Sequence, residues 1–217
     1  FFGTAYGWWF SEQHAADPKG ENSDANVFGL QAGMKFPLLG GETVVAANYY
    51  ECGACQGNSP LYNNNANGNS TFRIDDSSPT NLLTYGYDIF ELGAQMGVTV
   101  ANLPVTFWAN YAQNLADDVE YDTAYAIGAM VGKASDAKTW EAGLFYQEID
   151  KDALFAQWID SDFGDGKTDS EGLVFKAGYA PVKNFTVNAT YFMNTLSKDQ
   201  ELDLDYDRLQ VDLNYKF

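Results

Sequence analysis

Two short clusters and one lone side chain carry the residue types from which chemistry is usually built. Cys52-Gly-Ala-Cys55 has the spacing of a redox pair or of half a zinc site. The second half of a zinc site is missing and no βαβ pattern surrounds the pair, so the expected state in an oxidising compartment is a small disulfide at the base of a loop. The stretch from Asp150 to Glu171 carries Asp150, Asp152, Asp160, Asp162, Asp165 and Asp169. Asp160, Asp162 and Glu171 fall at the first, third and twelfth places of an EF-hand loop. Gly164 takes the place of the fifth-position ligand there, and Asp165 stands where the turn requires glycine, so looser binding of a divalent cation by Asp160, Asp162 and Asp165 is the most that spacing supports. His14 is the only histidine. A single histidine in a polar loop completes neither a catalytic triad nor a His-rich metal site, and no carboxylate pair is singled out for acid–base work. No catalytic residue and no enzyme are expected.

The elements that must position these groups are strands. The last nine residues, Leu209-Gln-Val-Asp-Leu-Asn-Tyr-Lys-Phe217, alternate apolar and polar without a break, which places Leu209, Val211, Leu213, Tyr215 and Phe217 on one face. Ten segments show this pattern: Phe1 to Phe10, Val27 to Leu38, Thr43 to Glu51, Tyr87 to Val100, Val105 to Asn114, Tyr125 to Ala134, Trp140 to Ile149, Gly172 to Pro181, Phe185 to Asn194 and Leu204 to Phe217. Their opposite faces carry Gly, Asn, Gln and Thr, which suits a wet interior better than a solvent-facing surface of Lys and Glu. Connections alternate between tight turns, such as Leu39-Gly-Gly-Glu42 and Ala101-Asn-Leu-Pro104, and long polar links. No run approaches the roughly 18 apolar residues that a membrane helix needs.

These features predict an all-β fold, a transmembrane antiparallel up-and-down β-barrel of the bacterial outer membrane, forming one domain over residues 1–217. Short turns belong on the periplasmic side of such a barrel and long loops outside, so the C-terminus is expected in the periplasm. Trp8, Trp9 and Phe10 end one segment, Trp140 begins another, and Tyr215 and Phe217 end the last; all are expected at a membrane interface. Parity turns Lys35, Glu91, Glu141, Lys176, Arg208, Asp212 and Lys216 toward the interior, where ionisable groups set selectivity or brace the wall as ion pairs. The Asp150 to Glu171 loop, with Leu154, Phe155 and Trp158 along one side of a short helix from Asp152 to Ile159, either stays a solvated acidic loop or folds inward. Folded inward, it sets Asp150, Asp152, Asp160 and Asp162 beside a permeation path. The Asn-rich stretch from Asn58 to Ser70 reads as flexible and surface-exposed. A net charge of -18, from 12 Lys and Arg against 30 Asp and Glu, argues against a nucleic-acid partner and favours cations.

Gly132-Lys-Ala-Ser-Asp-Ala-Lys-Thr-Trp-Glu-Ala-Gly-Leu-Phe-Tyr146, the Asp160-Ser-Asp-Phe163 element and Tyr206-Asp-Arg-Leu-Gln-Val-Asp-Leu-Asn-Tyr-Lys-Phe217 resemble the "putative porin" family of Gram-negative bacteria. The resemblance implies a water-filled channel for passive diffusion of small hydrophilic solutes or ions, with no defined substrate; the expected preference for cations comes from the charge. The alternative is a structural or partner-binding barrel that sheathes or anchors another protein without an open pore. Family members are typically longer, which leaves open whether ten strands close by themselves or form the C-terminal part of a barrel of about 12–18 strands, with an N-terminal part outside this chain. The implied partners are outer-membrane lipid and lipopolysaccharide and, through the terminal Phe217 strand, the barrel-insertion machinery; a homo-oligomer is left open. No cofactor is implied beyond a loosely bound divalent cation.

Overall fold

A computed structural model describes residues 1–13, 23–61, 65–75 and 81–217. His14 and part of the Asn-rich stretch lie outside them. The strands are β1 (Phe2–Gln13), β2 (Ser23–Leu38), β3 (Gly41–Gly53), β4 (Thr71–Phe72), β5 (Leu82–Leu83), β6 (Asp88–Val100), β7 (Leu103–Asn114), β8 (Thr123–Gly132), β9 (Thr139–Ile149), β10 (Ser170–Val182), β11 (Phe185–Leu196) and β12 (Leu204–Tyr215). All ten expected segments are strands. They form one antiparallel sheet in the order β1-β2-β3-β6-β7-β8-β9-β10-β11-β12, an up-and-down meander with β1 and β12 as its edges. The hairpin of β4 and β5 inside the longest loop is separate from it, and two residues per strand are too few for alternation to reveal.

Turn chemistry fixes the register. Leu39 and Gly40 have φ of 52° and 78°, and Ala101 and Asn102 have 50° and 65°, so both turns place two left-handed residues at the corner. Such mirror-image turns match the twist of the strands they join. Pairing then runs Gln31 to Asn48 to Glu91 to Ala112 across β2, β3, β6 and β7. Gly143, Lys176, Thr190 and Gln210 line up in the same way from β9 to β12. These residues share the inner face. The outer face exposes Leu30, Leu92, Ile127, Leu144, Phe175 and Leu209, the reverse of a water-soluble barrel.

The sheet is curled. Ten flat strands about 4.8 Å apart would hold β1 and β12 roughly 43 Å from each other. Yet Trp158, in the β9–β10 loop, packs on Phe10 of β1, and Asp162, in the same loop, bonds Arg208 of β12. The four-residue step from Trp158 to Asp162 spans at most about 14 Å of backbone. The two edge strands therefore approach a common point on the concave side.

The buried core also lies on that side, at the end of the sheet that carries the long loops. Inner-face Val27, Ile89, Ile149, Val174 and Phe192 pack with Phe155 and Phe163 of the β9–β10 loop. The interior is thus not polar along its whole length. The same parity that faces Asn and Gln toward water faces aliphatic residues toward the loops that cover them.

Candidate functional site

The β9–β10 loop crosses the concave face and is held by side chains of the β3–β6 connection. Asn69 is buried, and its Nδ2 donates to the carbonyls of Lys151 and Leu154 at 2.9 Å each while its Oδ1 accepts the Ala156 N–H at 2.9 Å. Thr168 N donates to Asn67 O at 3.0 Å, Ser70 N to Asp152 Oδ1 at 2.8 Å, and Gln157 Nε2 to the carbonyls of Leu61 and Asn65. Asn114, at the end of β7, adds bonds to the carbonyls of Gly86 and Asp152. The described part of the Asn58 to Ser70 stretch is consequently built into the interior, against the expectation of an exposed, flexible loop. The expected helix from Asp152 to Ile159 is a single 3-10 turn, Ala156–Trp158. Its backbone groups are taken by Asn69 and cannot also serve a helical ladder.

Within this interlock the acidic residues separate into distinct roles. Asp152, expected beside the permeation path, is 1% exposed and accepts from Ser70 N and from Tyr87 Oη at 3.4 Å, so it ties the two loops together. Burial pushes its carboxyl above the ordinary range, against the hydrogen bond from Ser70, which lowers it. Asp150, by contrast, leaves the interior: it continues the outward face of Glu148 and meets Lys198 Nζ at 2.7 Å, with Glu148 at 2.8 Å and Asp199 at 3.2 Å on the same ammonium. Burial opposes the charge on Lys198, but the bonds from Asp150 and Glu148 outweigh it and hold the ammonium above its usual range. Asp160 accepts the Asp162 N–H at 2.9 Å, and Asp165 meets Lys167 at 3.0 Å. Asp162 bonds Arg208 at 2.9 Å and Gln210 at 2.8 Å, fastening the loop to β12. Asp160, Asp162 and Asp165 do not converge, and among the described residues no three or more acidic, Cys or His side chains come together as a metal site. Cys52 and Cys55 are joined in a disulfide at the end of β3, both buried.

Below the loops the inner wall is polar. Tyr6 Oη donates to Asn48 Oδ1 at 2.8 Å, and Asn48 Nδ2 donates to Glu91 Oε2 at 2.9 Å, a line across three strands. Gly29 lies directly beneath the Tyr6 ring, and only a residue without Cβ leaves room for it. A cavity of about 550 Å³ borders this line, with Gln31, Gln95, Asn110 and Gln147 on its wall and Leu154 of the loop above. Nearer the short turns, Lys176 sits 5.3 Å over the Phe145 ring and Glu141 accepts the Ala134 N–H. Arg208 and Asp212 hold inner-face positions opposite Phe192 and Asn188.

The aromatic residues divide between the two faces. Trp9 stands edge-on to Phe28 on the outer face, Trp140 is opposite Tyr179, Tyr215 is opposite Phe185, and Phe217 is exposed just past β12. Trp8, expected at the membrane interface beside Trp9, instead faces the interior: it pairs with Val27 and packs against Tyr6 at 4.9 Å. Adjacent residues of a strand point to opposite faces, so only one of the two can meet lipid.

A meandering, curled sheet, apolar outside and carrying Asn, Gln and Glu inside with a loop folded across its concave face, is consistent with an outer-membrane β-barrel. The profile of the family described as "putative porin" matches residues 85–217, more than half of the chain and all of β6 to β12. The chain belongs to this porin family. No curated protein and no solved structure matches it. It is accordingly a porin-like outer-membrane protein, and its strands are transmembrane. The porin match includes the β9–β10 loop and Arg208, but Tyr6, Phe10, Asn48, Tyr50 and Asn69 lie ahead of it. Sequence reading passed over Tyr6, Asn48, Tyr50 and Asn69 and expected Phe10 at the membrane interface, whereas it packs on Trp158; the available signal was weak. Alternation puts Asn48 and Tyr50 on the inner face of their strand, but only long-range packing shows what they meet.

Proposed function

We propose that the protein is a passive-diffusion porin, a water-filled channel for small hydrophilic solutes and ions, with its long loops outside the cell and its C-terminus in the periplasm. The observation that carries this reading is the β9–β10 loop, which spans the concave face and leaves below it a cavity of about 550 Å³ whose mixed lining includes Gln31, Asn48, Glu91, Gln95, Asn110 and Gln147. A loop pinned at both ends narrows a channel without filling it, and side chains on the narrowed wall then act on every passing solute. A preference for cations is supported by the net charge of -18 and by Glu91, Glu141 and Asp212 on the inner face. Opposed to them are Lys35, Lys176 and Arg208, the last already paired with Asp162.

The rival reading, a barrel that sheathes or anchors another protein without an open pore, is favoured by the dense packing of Phe155, Phe163 and Tyr87 under the loops. Planar-bilayer recording of the purified full-length protein separates the two. Discrete open-channel steps are expected, and their absence under all voltages sinks the porin reading. A reversal potential in a salt gradient that favours anions sinks the cation preference alone.

A further inference from the structure

We propose that the aromatic tract on the inner face of β1, roofed by Trp158, binds a neutral saccharide; this deepens the channel reading above and rests on it. Tyr6 and Trp8 share the inner face of β1, and Phe10 sits at the bulge where the register with β2 shifts between Trp9 and Ser11, so the three line one stretch of the same wall. Tyr6 and Trp8 have ring centroids 4.9 Å apart, and Phe10 and Tyr50 lie 5.1 and 6.0 Å from Trp158. With Val27 these five rings bound a cavity of about 390 Å³, within the size range of small-molecule sites, roughly 300–1,000 Å³.

Packing accounts for the rings under the loops, and Tyr6, Phe10, Tyr50 and Trp158 rest one side on that core, but packing does not account for Trp8. Phe155 and Tyr87 are fully buried, whereas Trp8 remains 54% exposed on the inner face. A pyranose has C–H groups on its faces and hydroxyls around its edge. The faces match flat π surfaces, and the edge matches groups that both donate and accept. Tyr6 belongs to the tract and bonds Asn48, which with Gln31 of β2 lines the near part of the larger cavity. The Gln31 amide offers two donors and a carbonyl acceptor, and Asn48 keeps one N–H beyond its bonds to Tyr6 and Glu91. Rings and amides therefore meet at one boundary, and the guest that uses both is uncharged, with an apolar face and a polar rim. Alkylammonium ions also bind to rings, but they favour aromatic groups closing around one point. Here the β1 rings run in a row along the strand.

The test is recording of the full-length protein in a bilayer free of lipopolysaccharide, with maltose added to one side, beside a titration of tryptophan fluorescence with maltose in detergent. Block is normalised to each variant's own open current, and folding is checked by heat-modifiable migration. Maltose is expected to interrupt the current at millimolar concentration. Trp8→Ala should raise the half-blocking concentration about tenfold and Trp8→Phe no more than about twofold, since a ring is kept. Trp9→Ala, on the opposite face, should leave the block unaltered. Channel steps with neither block nor fluorescence change overturn the saccharide site and leave the channel reading standing. A fluorescence response that Trp8→Ala abolishes, without channel steps, keeps the site and overturns the channel. Block lost equally in Trp9→Ala, or tetraethylammonium blocking at lower concentration than maltose with the same loss in Trp8→Ala, overturns the saccharide proposal.

Discussion

Asn69 and Asp152 show how much of this interior depends on single side chains. Asn69→Ala removes one acceptor and two donors at a buried junction and leaves the Ala156 N–H and two carbonyls without those partners, a local cost of about 2–4 kcal/mol. Hydrogen exchange should then quicken across 151–169 while the strands of the sheet stay protected; unaltered exchange in that loop contradicts the assignment. Asp152 makes a pH-dependent contribution. Burial raises its pKa in the folded state, so the folded state holds the proton more tightly than the unfolded chain, where the value is about 3.9. Its stabilising contribution is complete below that value and is lost as pH rises through the raised folded pKa. Loop docking should accordingly be tighter at pH 4 than at neutral pH, read as slower proteolysis between the strands. Asp152→Asn should flatten this profile and resist cleavage at pH 7.

At the scale of elements, the loop acts as a strap between two walls. Trp158 grips β1 and β3 through rings, and Asp162 grips β12 through Arg208 and Gln210. The Asp162–Arg208 pair is partly open to water and is worth no more than about 1 kcal/mol, so Arg208→Gln should leave the barrel folded but loosen that end of the strap, which keeps the Gln210 bond. Single-channel current is expected to become noisier and larger in this variant; unchanged current places the narrowest point elsewhere. Strands were legible from sequence because alternation is a property of neighbouring residues, and the Leu39–Gly40 and Ala101–Asn102 corners were legible because turn residues are a local matter. The Asn58 to Ser70 stretch was misread for the opposite reason. Its Asn side chains suit solvent and buried loop junctions equally well, and the choice rests on Lys151, Leu154 and Ala156, more than 80 positions away.

For the whole molecule, the proposed channel turns on charge and curvature. Acidic residues spread over the loops and wall act through a field that falls off over about 10 Å at 0.1 M salt and about 3 Å at 1 M. Cation selectivity, measured as reversal potential at a fixed salt ratio, should therefore weaken as total salt rises; selectivity that is constant with salt points to a short-range filter instead. The sequence by itself determined the all-β class, the ten staves, the parity that turns Glu91, Glu141, Lys176, Arg208 and Asp212 inward, and the segregation of long loops to one end, because each follows from period-two alternation and turn composition. Only the tertiary structure decided that Asp150 leaves the interior, that Asp152 is sealed inside the loop junction, that Trp8 joins the interior, and that two loops interlock over the concave face. Those outcomes depend on which residues meet across a curled sheet, and residues far apart in a chain are brought together by the curl, not by their spacing.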